Sequence, residues 1–204
     1  MPPTSGDWLT PFRASLFSLR FELGGEIHGN DAPVPRFTQA FGRAREVSES
    51  LFAASARLFG IVACPPNSAT DLFAPAPDGF GALAQAGLTQ QSCSEWTAPL
   101  WPEQEEAEDR VESVWRAFDL TDDASGRDVL LWCAVSYEMA IAPKAPVVSF
   151  LADLDRGLLL HVYDDRGMDV TALERAPLLP LYGDLSAWLL DYDRPRMDRA
   201  FGGV

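Results

Sequence analysis

Within nine residues, from His161 to Asp169, the stretch LLLHVYDDRGMDVTAL gathers three carboxylates (Asp164, Asp165 and Asp169), Arg166 and one of the chain's two histidines. A histidine beside a carboxylate is the raw material of general acid–base catalysis, which needs a group titrating near the working pH within reach of the proton it moves. The same aspartates, joined by Asp191 and Asp193, are hard oxygen ligands of the kind that Mg²⁺ or Mn²⁺ takes. Spacing favours neither chemistry. In a strand over 158–163, Leu158, Leu160 and Val162 share one face, and His161 lies on the other with Leu159 and Tyr163. No D-x-D-x-D-G loop or H-E-x-x-H accompanies the aspartates, and Arg166, Arg194 and Arg196 are at hand to neutralise them. The pattern therefore predicts no catalytic set, no bound metal and no cofactor. The alternative is an acid–base or metal-assisted enzyme centred on 163–169 with Asp191 and Asp193.

What such a segment does instead follows from a repeat. The tripeptide Asp-Arg-Gly closes the linker after 147–152 and again the linker after 158–163. Aspartate opens turns by accepting hydrogen bonds from nearby backbone, and glycine supplies the positive φ that closes a hairpin. Strands over 147–152, 158–163 and 168–172 then form a three-stranded antiparallel meander.

Other elements must hold that meander. A short helix from Asp7 precedes a strand over 19–23, where Arg20 and Glu22 share one face as an expected ion pair. Phe37, Phe41, Ala44, Ser48, Leu51 and Leu58 recur at helical spacing, with Gly60 as the stop and 61–64 as a short strand. Residues 70–102, rich in proline, read as an irregular flap with a small helix over 81–86. A strand follows over 111–120, then a buried helix over 128–141, a helix over 177–190 and a last short helix after Asp193. The sum is one α+β domain over 1–204, mainly antiparallel, packed by several helices. Its 70–110 portion is an acidic, proline-rich insertion.

Composition narrows function by exclusion. The three cysteines are scattered and form no C-x-x-C pair, and G-x-S-x-G, G-x-x-x-x-G-K-[ST] and G-x-G-x-x-G are all missing. No leader-like or membrane-spanning run is visible, so a cytoplasmic setting is expected. Thirty acidic against 16 basic residues give a net charge of −14, which repels nucleic acid and anionic membranes and draws in basic proteins. The acidic run Glu103, Glu105, Glu106, Glu108 and Asp109, beside Trp96 and Trp101, combines charge steering with apolar anchors and is the expected docking strip. Oligomeric state leaves no mark on the sequence.

Three segments, LRFELGGE, HVYDDRGMDVTAL and PLYGDLSAWLLDYDRPRMDRAF, resemble a bacterial domain-of-unknown-function family, DUF3885. The motif positions are Arg20, Glu22, Tyr163, Asp164, Asp165, Arg166, Gly167, Asp191, Tyr192 and Asp193. That family has no assigned activity or catalytic residues. The resemblance implies a role as an immunity protein encoded beside a secreted toxin, which agrees with a small acidic binding protein. A housekeeping interaction module is the plainer alternative.

Overall fold

The computed structural model describes residues 1–27, 32–66, 78–100 and 112–202. Among them, seven strands form one antiparallel sheet: β1 (Phe17–Glu22), β2 (Phe59–Cys64), β3 (Ser94–Pro99), β4 (Glu112–Asp119), β5 (Val148–Asp153), β6 (Leu158–Val162) and β7 (Gly167–Ala172), in the order β1-β7-β6-β5-β2-β4-β3. The expected meander is present, since β5, β6 and β7 are consecutive antiparallel neighbours. The fold is α+β.

One sheet face is covered by helices. α2 (Pro33–Phe52) tolerates Pro33 and Pro35 because the first-turn N–H groups have no intrahelical acceptor to lose. It buries Phe37, Ala40, Ala44, Val47 and Leu51 against Leu19, Phe21, Leu160, Val162 and Met168 of the sheet. The helix ends at Phe52 rather than at 58, because Leu58 leads into β2: its N–H donates to the Thr121 hydroxyl (3.1 Å) and its carbonyl accepts from Leu120 N–H (2.8 Å). Gly60 is accordingly no helix stop. It lies inside β2, where a Cβ would come within 2.6 Å of Leu130 and 2.7 Å of Leu120.

The 70–102 stretch is not wholly irregular. α3 (Gly79–Ala86) is capped by Asp78, which accepts from the N–H groups of Phe80 and Gly81, and Gly87 at φ 119° stops it. β3 follows, with Trp96 and Ala98 buried and Glu95 and Thr97 exposed in strict alternation. α4 (Ala124–Val135) is displaced toward the N-terminus from the expected 128–141. Asp123 caps it by accepting from Gly126, and the chain then folds back so that the Pro143 carbonyl accepts from the Trp132 indole and the Ser136 hydroxyl.

The expected helix over 177–190 breaks into short turns around α5 (Leu179–Asp184). The break is forced by β1: Leu189 becomes extended and bridges Phe21, and Leu190 N–H donates to the Arg20 carbonyl (2.9 Å) along the sheet edge. α6 (Arg194–Phe201) carries Pro195 in its first turn and buries Met197 and Phe201.

The second sheet face is divided. Over β5, β2, β4 and β3 it is aromatic: Trp96, Trp115 and Phe150 stack in series and are capped edge-on by Trp8. Trp8 comes from a 3₁₀ turn (Gly6–Leu9) that runs into α1 (Thr10–Arg13), and Leu9 and Phe12 complete this smaller core. Over β1 and β7 the same face is polar, and β6 forms the boundary, with Leu159 in the aromatic core and His161 beside the polar half.

Candidate functional site

The polar half is built by register. Arg20 on β1 stands opposite Asp169 on β7, and Asp169 stands opposite His161 on β6, so the three form one row across adjacent strands. Arg20 donates twice to Asp169, at 2.7 and 3.0 Å, the paired geometry that a guanidinium and a carboxylate share. Its remaining nitrogen meets Asp193 at 2.9 Å, an ionic contact without the alignment of a hydrogen bond. Asp193 is delivered by the chain that wraps the β1 edge, and Arg196 one turn later donates to the Ser18 carbonyl (3.1 Å) and hydroxyl (2.7 Å). Arg20 is therefore not the partner of Glu22, as spacing suggested. Strand pairing outcompetes a same-strand neighbour because cross-strand side chains lie closer.

His161 ends the row against the aromatic core, its ring on Phe150 at 4.5 Å and edge-on to Tyr163 at 6.0 Å. Burial disfavours the imidazolium and takes His161 down to about 4, against a smaller opposing pull from Asp169. Tyr163 is pushed up to about 12, chiefly by burial and then by Asp169. The bonds to Asp169 hold the Arg20 guanidinium firmly in its charged form. At neutral pH the row and the neighbouring Tyr163 thus supply a fixed cation, a neutral imidazole and a protonated phenol. A cleft of about 130 Å³ opens beside His161, Asp169 and Thr171, under Phe12 and Arg13. It offers hydrogen bonding and charge, with the His161 imidazole neutral at pH 7.

The YDDRG turn is tied down from below. The Asp165 carboxylate pairs with Arg36 of α2, both side chains being 10% exposed, and Arg36 also donates to the Ile27 carbonyl. Asp164 accepts from its own turn at Arg166 N–H (2.7 Å) and from the Arg166 guanidinium, which also meets Glu138 at 3.2 Å. The Arg166 carbonyl accepts from Leu23 N–H (2.9 Å), so the turn is sewn to the end of β1 as well. Gly167 has no positive φ. Its requirement is space, since a Cβ would approach the Tyr163 hydroxyl to 2.5 Å and the Phe21 carbonyl to 3.0 Å.

The motif positions therefore divide into two groups. Asp164 and Asp165 are buried, whereas Tyr163 is 37% and Tyr192 88% exposed, with the Asp191 side chain open to solvent and 4.0 Å from Arg194. Arg36 escaped the sequence reading although a signal was present: it falls in step with Ala40, Ala44, Val47 and Leu51, a charge on an apolar stripe. Trp96 is no exposed anchor. At 9% exposure it packs flat on Trp115, because β3 turns it into the aromatic core. The rest of the expected docking strip, Trp101, Glu103, Glu105, Glu106, Glu108 and Asp109, lies outside the described residues.

Among the described residues, no three His, Cys, Asp or Glu side chains converge as metal ligands, and no helix is long and apolar enough to cross a membrane. No curated protein sequence matches the chain, and no solved structure does. The model of one family, described as a domain of unknown function (DUF3885), matches residues 5–193, a span that takes in the Arg20 row, the Arg36–Asp165 pair and the YDDRG turn. The chain is a member of the DUF3885 family.

Proposed function

We propose that the protein is a non-enzymatic binding protein of the cytoplasm, an immunity protein that neutralises a toxin by occluding a basic toxin domain. One observation carries the reading: the reactive side chains of the motif are already committed. Asp164, Asp165 and Asp169 are each engaged by arginine or turn backbone, and His161 is held neutral. Residues spent on internal pairs leave recognition to the exterior, where a net charge of −14 favours a basic protein over nucleic acid or a membrane. The acidic run from Glu103 to Asp109, with Trp101 as an apolar anchor, is the proposed docking strip.

The test is co-expression of the chain with toxin domains encoded in its gene neighbourhood, followed by titration calorimetry of each pair. Growth rescue with a one-to-one complex supports the reading; absence of both with every neighbouring domain overturns it. Within a complex, Glu105→Lys with Glu106→Lys slows association about ten-fold and flattens its salt dependence. Unchanged association kinetics would remove that strip from the interface.

A further inference from the structure

On the helical side, far from the YDDRG turn in sequence, α2 and α4 leave an open groove of about 380 Å³, lined by Phe41, Ala86, Asp128, Val129, Trp132 and Pro143. Its volume is that of a small-ligand site rather than of a packing defect. Two of its walls are aromatic: the Phe41 and Trp132 rings are 5.8 Å apart and inclined at 66°, so they form a corner. The corner is braced from behind. Phe37, itself buried, meets Trp132 edge-on at 4.4 Å and stacks on Phe41 at 5.9 Å, and the indole N–H is fixed by its bond to the Pro143 carbonyl (3.2 Å).

The charge at the mouth decides what such a corner would hold. Asp128 precedes Trp132 by one helical turn and so stands above it on the same face of α4. It shares Arg45 at 3.4 Å with Glu49, which holds that arginine more closely at 3.0 Å. Two carboxylates share this one guanidinium, so the Asp128–Arg45–Glu49 group keeps an excess of one negative charge, with Asp128 as its member in the groove. Aromatic faces attract cations, and a nearby carboxylate adds to that attraction while repelling anions. The protein uses the same contact internally, with Arg116 over Phe80 at 4.1 Å and Arg43 over Trp188 at 5.3 Å.

We propose that the Phe41–Trp132 groove, with Asp128 at its rim, is a docking site for the cationic end of an arginine or lysine side chain presented by a protein partner. The inference rests on the binding-protein reading for its partner, and on the groove alone for the chemistry of its guest. It also gives the net charge of −14 a second, localised use besides long-range steering.

The indole N–H signal of Trp132 in isotope-labelled protein reports on the groove during titration with Nα-acetylarginine methylamide. Nα-acetylcitrulline methylamide serves as the neutral isostere. A saturable shift with the arginine compound is expected, at least five-fold weaker with the citrulline compound. Asp128→Asn should weaken arginine binding roughly five-fold and Phe41→Leu by a similar factor. Equal response to both compounds, no saturation, or wild-type affinity in Asp128→Asn overturns the cation site. Asp128→Asn is a surface change, so this arm stands even if Phe41→Leu disturbs packing. For docking, a toxin that forms a complex should displace the arginine compound and bind Asp128→Asn more weakly. Retention of the compound in that complex overturns the partner role. If no toxin binds the wild type, the immunity reading fails, and the titration still decides the groove.

Discussion

The two Asp-Arg-Gly turns of the meander share a tripeptide and little else. In the turn between β5 and β6 the capping carboxylate is Asp153, which accepts from the N–H groups of Asp155 and Arg156 at 3.1 and 3.0 Å. Gly157 then closes the hairpin at φ 62°, and Asp155 meets Arg57 at 2.6 Å with both side chains about half exposed. The side-chain ties of its tripeptide, from Asp155 to Arg57 and from Arg156 to the Ser55 hydroxyl, are exposed. Between β6 and β7, Asp164 does the capping, Asp165 reaches into α2 to hold Arg36, and Gly167 is required for room rather than for φ. The second turn is a junction between the meander, β1 and α2. One tripeptide thus satisfies a backbone need in one place and a packing need in the other, and its aspartate makes a solvated pair in one and a buried pair in the other.

Magnitudes sharpen the contrast, beginning with the largest. Asp165→Ala leaves the Arg36 guanidinium buried without its carboxylate, and such a loss costs about 3–5 kcal/mol. Urea unfolding should show it as a lower midpoint at unchanged slope.

The next effect is a pH dependence. His161, just ahead of the second turn, titrates at about 4 when folded, below its ordinary 6.5. Between those values the unfolded chain binds a proton that the folded chain refuses. Its contribution is therefore complete above pH ~6.5, declines as pH falls toward ~4, and amounts to at most about 3 kcal/mol because the ring keeps some solvent contact. His161→Phe should flatten the unfolding midpoint across this window. A wild-type slope in that variant would assign the dependence to other groups.

Gly167→Ala should cost roughly 1–3 kcal/mol, since the Phe21 carbonyl behind it is backbone and cannot swing aside. Tyr163→Ala in the same chain should recover part of that loss, a coupling that a double-mutant cycle reads directly. Gly157→Ala should cost about 1–2 kcal/mol from the left-handed φ, with a Cβ also pressing on the Leu173 side chain at 2.9 Å, and Tyr163→Ala should leave that cost unchanged. Smallest of all, Asp155→Ala should fall within about 1 kcal/mol, as exposed ion pairs do. If Asp155→Ala and Asp165→Ala unfold the chain equally, the distinction between the turns is lost.

What the sequence made legible was local. The meander followed from a repeated turn tripeptide and flanking apolar runs, and α2 from the spacing of Phe37, Phe41, Ala44 and Leu51. Helix ends were misjudged wherever a distant strand set them: Leu58 is claimed by Thr121 and Leu120, and Leu189 by Phe21. β3 was hidden by the prolines around it, although Trp96 and Ala98 alternate with Glu95 and Thr97 as a half-buried edge strand should. The site was legible only as a list of motif residues. Its wiring is long-range, for Arg36 and Asp165 are 129 residues apart and Arg20 and Asp169 are 149 apart, and no local pattern encodes such a pairing. The aspartates were expected to take Arg166, Arg194 and Arg196. Arg166 and Arg194 do meet Asp164 and Asp191, while Arg196 goes to Ser18 and the central pairs belong to Arg20 and Arg36.

The motif carboxylates are tied into internal pairs, and under the proposed binding role recognition falls to the exterior of the protein. The most direct test combines urea unfolding of Asp165→Ala with its affinity for a toxin domain found to bind the wild type, determined where the variant is still folded. The account predicts a stability loss of about 3–5 kcal/mol with affinity within roughly two-fold of wild type. Wild-type stability accompanied by loss of toxin neutralisation would contradict it and would place Asp165 in the working site.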